Sequence, residues 1–353
     1  MFFGQWWPVL IAPVIAALLA AGLLGPARRF GCIDHPGGRK SHDSPTPLVG
    51  GIAIFLSFTA VSGLKGGIPG GSWSLLAAML VALVFGLADD MRQFGYRTKF
   101  FGQLIAALIV VSGTSAHVMV FGDLIGAGYL ELGKWSYLVT VISLIGLMNA
   151  VNMIDGLDGL AGTVVAIPLA IFGLVALLAG EVAMGMEILS LTGVVCGFLA
   201  LNLRLPWQPR ARAFMGDVGG LLLGLLLGWY AIKLAGTYHA AIRPITAVWI
   251  LALPLLDMGG VMSLRILSGK SPFHADRRHL HHLLCDAGLS VSQIVAIMAL
   301  ASLVFGIAGL RADHAGIPEY VMFYAFLILL GLYVFVLSRA APISRAIQAF
   351  SRR

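Results

Sequence analysis

The chain has 353 residues, of which 59% are hydrophobic and only 11% are charged. This composition excludes an ordinary soluble domain, in which roughly a quarter of the residues carry a charge. The formal net charge of +7 could suggest binding to nucleic acid. The positions of the basic residues, described below, point instead to membrane topology, so we expect the lipid bilayer and no nucleic acid as a partner.

Apolar stretches long enough to cross a bilayer recur along the chain, separated by short polar loops. They cover residues 8–25, 48–64, 72–88, 100–118, 135–151, 160–178, 185–202, 218–236, 244–264, 291–310 and 318–338. We therefore predict an all-α, polytopic integral membrane protein with about eleven transmembrane helices. The first stretch lacks a basic leader and a small-residue cleavage site, so we expect a retained helix and not a signal peptide.

The loops between these stretches are all short. Because none could hold a separate soluble domain, we predict a single membrane-embedded domain over residues 1–353, with a basic cytoplasmic tail at 339–353. The three cysteines are few, odd in number and without paired metal-ligand spacing, so we expect free thiols.

The basic residues are distributed unequally between the two sides of the predicted helices. If the loops alternate across the bilayer, one side receives 18 lysines and arginines and the other only 4, with Lys233 near a helix end. Basic residues accumulate on the cytoplasmic side of membrane proteins. We therefore predict that the N-terminus lies outside and the C-terminus lies in the cytoplasm.

Polar clusters fall at the predicted cytoplasmic ends of four apolar stretches. They are "GLADDMRQFGYRTK" (86–99), "NAVNMIDGLDG" (149–159), "FMGDVGG" (214–220) and "RILSGKSPFHADRRHLHHL" (265–283). The acids expected to converge there are Asp89, Asp90, Asp155, Asp158 and Asp217. Several carboxylates near a membrane repel one another unless a cation or basic partners are present, and a divalent metal ion is the simplest such partner.

Spacing within the second cluster favours a shared ligand. Asn149, Asn152 and Asp155 span about 120° of a helical face, so all three can point toward one ion. Gly156 and Gly159 then break the helix and place an acid in a tight turn. Oxygen ligands suit Mg²⁺ or Mn²⁺, and protein-bound Mg²⁺ is commonly shared with substrate phosphates. The pattern therefore indicates a phosphate-bearing substrate.

Simpler interpretations stay open for each feature. Acids and amides at helix ends are also typical of solvated or capping residues. His279 and His282 would lie on one helical face, which also fits a zinc site, although no cysteine or evident third ligand is near them. Asp257 is the acid in the most apolar surroundings, and it fits either a role in the site or a pairing with a neighbouring helix.

Five motifs, in this order along the chain, resemble those of the polyprenyl-phosphate N-acetylhexosamine-1-phosphate transferase family. They are "DHPGGRKSHDSPTPLVGG" (34–51), "DDMRQFGYRTK" (89–99), "NAVNMIDGLDGL" (149–160), "FMGDVGG" (214–220) and "GKSPFHADRRHLHHL" (269–283). The first and last are more similar to the branch that starts O-antigen, enterobacterial common antigen or teichoic-acid linkage units than to the peptidoglycan branch. Gly220 stands where the family usually has serine.

The resemblance implies a reaction, its substrates and a location. The enzyme would transfer a sugar 1-phosphate from a UDP-N-acetylhexosamine to undecaprenyl phosphate, release UMP and leave an undecaprenyl-diphosphate sugar. It would use Mg²⁺, with Mn²⁺ as a substitute, in the bacterial inner membrane with the active site facing the cytoplasm. UDP-GlcNAc is the expected donor, with GalNAc, FucNAc and QuiNAc left open as the sugar. The oligomeric state is also open, a homodimer included.

Roles for the acidic motifs follow from the same resemblance. Asn152 and Asp217 are implied as metal ligands, with Asp90 as an additional candidate. Asp89 is implied as the base or as the residue that positions the acceptor phosphate, and Lys99 as a phosphate contact. The expected catalytic set is Asp89, Asp90, Asp155, Asp158 and Lys99.

The substrate-binding residues are implied in the same way. Gly156, Leu157 and Asp158 resemble the loop that holds uracil, and Phe214 resembles the residue that stacks on it. The residues expected to face the diphosphate and the sugar are Arg265, His279, His281 and His282. Lys40 and His42 are expected at the edge of the substrate site, with simple interfacial charge as the equal alternative.

Two other functions remain alternatives from the sequence. One is an enzyme of the peptidoglycan branch that uses UDP-MurNAc-pentapeptide as donor. The other, from a different class, is an ion-coupled secondary transporter, since intramembrane acids and broken helices also mark transporters. The transporter is disfavoured because the acids cluster on one side and no inverted halves are apparent in the sequence.

Overall fold

The apolar stretches fold as helices because a chain in hydrocarbon must satisfy its backbone N–H and C=O groups internally. The structure, a computed structural model, describes residues 6–35, 44–238, 240–272 and 278–351. These residues form the helices α1 Trp7–Arg29, α2 Gly50–Leu64, α3 Trp73–Arg92, α4 Tyr96–Gly113, α5 Ser136–Ile154, α6 Leu160–Leu178, α7 Val182–Asn202, α8 Gly216–Ala235, α9 Pro244–Ile250, α10 Ala252–Leu267, α11 Leu280–Asp286, α12 Val291–His314, α13 Glu319–Ser338 and α14 Ala340–Ser351. Two short strands, β1 Ile33–Asp34 and β2 Thr46–Pro47, pair antiparallel.

The prediction of an all-α, multi-pass membrane protein is confirmed. Among the described residues, eight helices are long and apolar enough to cross a membrane, and the bent pair α9 and α10 raises the number to nine if it counts as one span. Each of the eleven predicted stretches contains a helix, but α2 has only 15 residues, shorter than the roughly 20 that a span needs. The number eleven and the orientation of the chain therefore remain predictions.

The predicted span 244–264 is not one continuous helix. Helices α9 and α10 meet at Leu251 with a bend of 81°. Pro254 explains the break, because proline lacks the N–H that would bond to the carbonyl of Ile250 four residues earlier, and its ring crowds that carbonyl.

Helix α8 lies at the centre of the bundle. All of its residues from Val218 to Ile232 are buried, and small residues let the neighbouring backbones come close. A Cβ atom on Gly224 would lie 2.5 Å from Cα of Met148 on α5, and one on Gly51 of α2 would lie 2.3 Å from the backbone nitrogen of Gly219. This close packing fixes α2 and α5 against α8 and so fixes the start of α8, where the candidate site begins.

The C-terminal residues 339–353, predicted as a basic tail, form the helix α14 over most of their length. It packs against α11 and α13. None of the three cysteines, all in described parts of the chain, forms a disulfide.

Candidate functional site

A cleft of about 430 Å³ opens where α3 and α5 end and α8 begins. Ten of the predicted site residues line it: Asp89, Asp90, Asn152, Asp155, Gly156, Leu157, Asp158, Phe214, Asp217 and His282. The convergence expected from the sequence is therefore present in the fold.

The Asp217 carboxylate lies at the centre of this group, in the first turn of α8. Asn152 at the end of α5 donates from Nδ2 to one oxygen at 2.6 Å, and Lys99 at the start of α4 donates from Nζ to the other at 3.0 Å. Lys99 Nζ also lies 2.5 Å from Oδ2 of Asp89. One lysine thus bridges two carboxylates that come from different helices.

Asp90 faces the N-terminus of α8 and caps it. Its Oδ1 accepts a hydrogen bond from the backbone nitrogen of Asp217 at 2.8 Å, and its Oδ2 accepts a weaker one from that of Val218 at 3.5 Å. Gly216 has a φ of +72°, a conformation that glycine adopts at little cost, and a Cβ there would meet Asp90. Asp90 therefore stabilises the helix start that presents Asp217.

The turn after α5 carries two acids with different surroundings. Asp155 faces the cleft, where desolvation by the surrounding protein, together with the carboxylates of Asp217 and Asp158, raises the pKa of its carboxyl to about 7. Asp158 is buried, and its Oδ2 accepts from Arg204 Nε at 2.7 Å and from the backbone nitrogen of Ala211 at 3.2 Å. Asp158 therefore anchors the loop that joins α7 to α8.

A second amide reinforces this turn. Asn202, at the end of α7, accepts from the backbone nitrogen of Gly159 at 2.9 Å and donates to the carbonyl of Ala213 at 2.8 Å. Phe214, next along the chain, is held by the strand segment through its nitrogen, which donates to Pro47 O at 2.9 Å. The turn and the aromatic residue predicted to bind uracil are thus both fixed in the cleft wall.

The histidines form a stack that leads from a buried acid to the cleft. Asp257 on α10 lies 2.7 Å from Nδ1 of His279 and accepts from the backbone nitrogen of Leu280 at 3.0 Å and from Tyr333 Oη at 2.7 Å. The rings of His279 and His281 stack at 5.5 Å, and those of His281 and His282 lie 4.2 Å apart. Asp257 thus holds His279 and the start of α11. The sequence left open whether Asp257 serves the site or pairs with a neighbouring helix, and in the fold it contacts both the histidine stack and Tyr333 of α13.

The histidine stack also contacts the turn after α5. A Cβ on Gly156 would lie 2.3 Å from Nε2 of His281, so only glycine fits there without displacement. Within the described residues, no three His, Cys, Asp or Glu side chains are grouped as ligands of one ion. The zinc alternative at His279 and His282 gains no support.

One predicted substrate contact, Arg265, lies apart from the cleft wall. Arg265 is buried in the last turn of α10 and donates from a guanidinium nitrogen to Pro272 O at 2.5 Å. Lys40 and His42 lie outside the described residues, and their roles stay predictions.

The prediction for Asn149 is wrong. It does not point to the ligand position of Asn152 but pairs with Gln103 of α4, with N···O distances of 2.8 and 3.3 Å. On α5, Asn149 therefore faces α4, and Asn152 faces α8.

Sequence reasoning also missed Arg204 and Asn202. The position of Asn202 at the end of an apolar stretch, like that of Asn152, was an available signal.

Comparison with known proteins agrees with this geometry. Residues 72–235, which run from the start of α3 to the end of α8, match the family model described as Glycosyl transferase family 4. The chain is 32% identical to an undecaprenyl-phosphate alpha-N-acetylglucosaminyl 1-phosphate transferase of Salmonella typhi, over 93% of this chain and 89% of that protein.

Proteins of the same name from two further organisms give the same result. The identity is 32% for the Haemophilus influenzae protein, over 96% of both chains, and 30% for the Escherichia coli K12 protein, over 93% of this chain and 89% of that one. The resemblance drawn from the five motifs is confirmed. With its acidic cluster inside the matched region and relatives aligned over nearly the whole chain, the protein belongs to glycosyl transferase family 4.

Proposed function

We propose that this chain transfers GlcNAc-1-phosphate from UDP-GlcNAc to undecaprenyl phosphate, the first membrane step in the synthesis of a cell-envelope polysaccharide. The names of the relatives support the acceptor and the transferred group, and UDP-GlcNAc is the donor that the motif resemblance implies. The observation that carries the proposal is the Asp217 carboxylate held between Asn152 and Lys99, with Asp89 beside it, in a cleft at one end of a membrane bundle.

The reaction exchanges one phosphoanhydride bond, between the two phosphates of the donor, for another, between the two phosphates of the product. An oxygen of the acceptor phosphate attacks the sugar-linked phosphorus of the donor, the bond from that phosphorus to the bridging oxygen breaks, and UMP leaves. Because the phosphate oxygen is already largely ionised at neutral pH, catalysis consists mainly of positioning and charge stabilisation. We assign Asp89 and Lys99 to the acceptor phosphate, and the turn with Gly156, Leu157 and Phe214 to the uridine.

The histidine stack faces the same cleft from the other side. His282 lines it, and Asp257 holds His279 behind it. We assign the histidine stack to the donor diphosphate and the sugar, because N–H donors aimed at the transferred phosphate stabilise the charge that develops there. Arg265, buried behind the cleft, is assigned to holding the segment before α11 through its bond to Pro272 O.

The residues around Asp217 fit a divalent cation. Asp89 Oδ1 is buried and has no hydrogen-bond partner within the described part of the chain, and two carboxylates share Lys99. Carboxylate and amide oxygens suit Mg²⁺ or Mn²⁺. We propose Asp217 and Asn152 as the ligands, with Asp90 primarily the cap of α8. When bound, the ion would neutralise charge on the diphosphate.

The direct test is release of UMP by the purified protein in detergent. We expect turnover with UDP-GlcNAc and undecaprenyl phosphate, and little or none with UDP-MurNAc-pentapeptide. Equal or better use of the pentapeptide donor would contradict the proposed branch of the family. Absence of UMP release with every UDP-sugar, from a protein that remains folded, would contradict the transfer reaction itself.

We also propose that the cleft faces the cytoplasm of the bacterial inner membrane. The support is the 18-to-4 distribution of basic residues and the cytosolic origin of nucleotide sugars. Reporter fusions in the 265–290 loop and after α14 should both report a cytoplasmic position. A fusion at either point that reports the outside would overturn the orientation.

A further inference from the structure

Two amide side chains link α4 and α5 inside the bundle, one helical turn deeper than the acidic cluster. Asn149 Nδ2 donates to Gln103 Oε1 at 2.8 Å, and Gln103 Nε2 donates to Asn149 Oδ1 at 3.3 Å. Gln103 is buried, and Asn149 Nδ2 makes a second bond to the carbonyl of Ile145 at 2.8 Å. The pair is therefore reciprocal and well satisfied, but neither amide lines the cleft.

The position of the pair along each helix relates it to Asp217. Lys99 precedes Gln103 by four residues on α4, and Asn152 follows Asn149 by three residues on α5. Residues three or four apart lie on the same face of a helix, one turn from each other. The amide pair therefore lies one helical turn along α4 and α5 from the two side chains that bond to opposite oxygens of Asp217.

Two other neighbours of these helices are held by close packing at glycines. On α8, a Cβ added to Gly220 would lie 3.0 Å from Cα of Asn152 on α5. On α4, Gly102 lies against the ring of Phe85 on α3. Between α4 and α5, apolar contacts alone would fix the relative rotation and depth of the two helices only weakly. Apolar side chains can contact lipid tails as favourably as they contact another helix. A directional pair of hydrogen bonds sets both.

We propose that the Gln103–Asn149 pair positions the catalytic centre, by fixing α4 against α5 so that Lys99 and Asn152 hold Asp217 from both sides. Neither amide touches substrate. Both act through the orientation of the Asp217 carboxylate and of the lysine that it shares with Asp89. This proposal rests on the proposed transfer reaction.

A purely structural role for the pair makes a different prediction. Replacement of one amide by leucine leaves the other buried and unpaired, which lowers stability in either case. Replacement of both leaves no unpaired amide and should restore much of the stability. A positioning role is recognised by a double variant that is folded but impaired in catalysis and in cation binding.

The experiment compares Gln103→Leu, Asn149→Leu and the double variant with the wild-type chain in detergent. Thr140→Val is the matched control, because Thr140 also lies on α5 and accepts a hydrogen bond from another segment, the nitrogen of Val118 at 2.9 Å, but at the opposite end of the helix. Three quantities are measured for each protein: the thermal midpoint, the Mn²⁺ concentration that gives half of the maximal thermal stabilisation, and kcat and KM for UMP release.

We expect the double variant to be at least as stable as either single variant, with kcat lower by about 100-fold, the loss typical of a catalytic group misplaced by about 1 Å. Its Mn²⁺ midpoint should rise by about tenfold, while KM for UDP-GlcNAc changes little because the amides do not line the cleft. Thr140→Val should lower the thermal midpoint only.

A double variant with wild-type kcat and Mn²⁺ midpoint would overturn the proposal, as would a Thr140→Val control with the same losses in catalysis and cation binding. A wild-type chain that releases no UMP would contradict the proposed reaction instead. In that event the Mn²⁺ midpoints, which require no turnover, would still test whether the amide pair positions Asp217.

Discussion

The two ends of the helix bundle hold their carboxylates in different ways. At the end away from the cleft, Asp313 of α12 accepts from Arg243 Nε at 2.6 Å and from Thr246 Oγ1 at 2.7 Å. Arg243 also donates to the backbone carbonyls of Ile317 and Asp313. Each charge of this pair has an opposite charge and several hydrogen bonds, as expected for an ion pair that joins structural elements.

At the cleft, the acids outnumber their basic partners. Asp89 and Asp217 share Lys99, Asp90 relies on backbone N–H groups, and Asp89 Oδ1 has no hydrogen-bond partner among the described residues. Such an arrangement is costly unless a ligand completes it. The comparison of the Arg243–Asp313 pair with the cleft shows that this fold can satisfy a carboxylate fully, and that the acids of the cleft are left incompletely satisfied where substrates and a cation are proposed to bind.

The largest expected effect separates the two ends directly. Asp217→Asn removes a charge while nearly preserving shape, and we expect UMP release to fall by at least about 10²–10³-fold, the loss typical of one charge-stabilising group. The dependence on Mg²⁺ should also weaken. The matched variant Asp313→Asn should lower the thermal midpoint and leave kcat within a few-fold of wild type, because it lies at the other end of the bundle. Near-native activity of a folded Asp217→Asn protein would refute the assignment of this residue.

A second, smaller effect tests whether the residues on the histidine side of the cleft act on the donor and not on the cation. Arg265→Ala and His279→Ala should each cost about 2–4 kcal/mol of transition-state stabilisation, by loss of the support that positions His282 at the donor diphosphate. The Mg²⁺ concentration at half-maximal UMP release should stay close to that of wild type in both variants. A shift of this midpoint in the Arg265 variant alone would show that the proposed division of roles is wrong.

The smallest expected effect concerns the pH dependence of stability. The pKa of Asp155 is raised to about 7 from the ordinary value of 3.8 by desolvation and neighbouring carboxylates. Its contribution to stability is therefore fully present below about pH 4 and is lost as the pH rises through about 7. We expect the thermal midpoint of Asp155→Asn, relative to wild type, to increase between about pH 5 and pH 8.

The control for this measurement is Glu131→Gln, the same carboxylate-to-amide change at an exposed position in the loop before α5. A difference between Asp155→Asn and wild type that is constant over the pH range would show that the pKa of Asp155 is not raised in the folded protein.

Helical periodicity predicted only part of the site. The motif 149–159 correctly placed Asn152 and the following turn at the cleft. The same periodicity wrongly assigned Asn149 to the cleft. The angle between residues on one helix does not reveal which neighbouring helix each of them faces. Asp257 is similar: its apolar surroundings were evident from the sequence, but its partner His279 was not, since 22 residues and a loop separate them.

The sequence by itself determined the membrane class, the family and the set of acids at one end of the bundle, since composition and local motifs specify burial in lipid and helix ends. Only the tertiary structure decided the pairing: Lys99 with Asp217, 118 residues away, Asn152 with the same acid, 65 residues away, and Gln103 with Asn149. The physical reason is that hydrogen bonds between helices depend on their relative rotation and depth. Those are fixed by close packing at glycines, such as Gly220 and Gly224 of α8, and not by the pattern within any one helix.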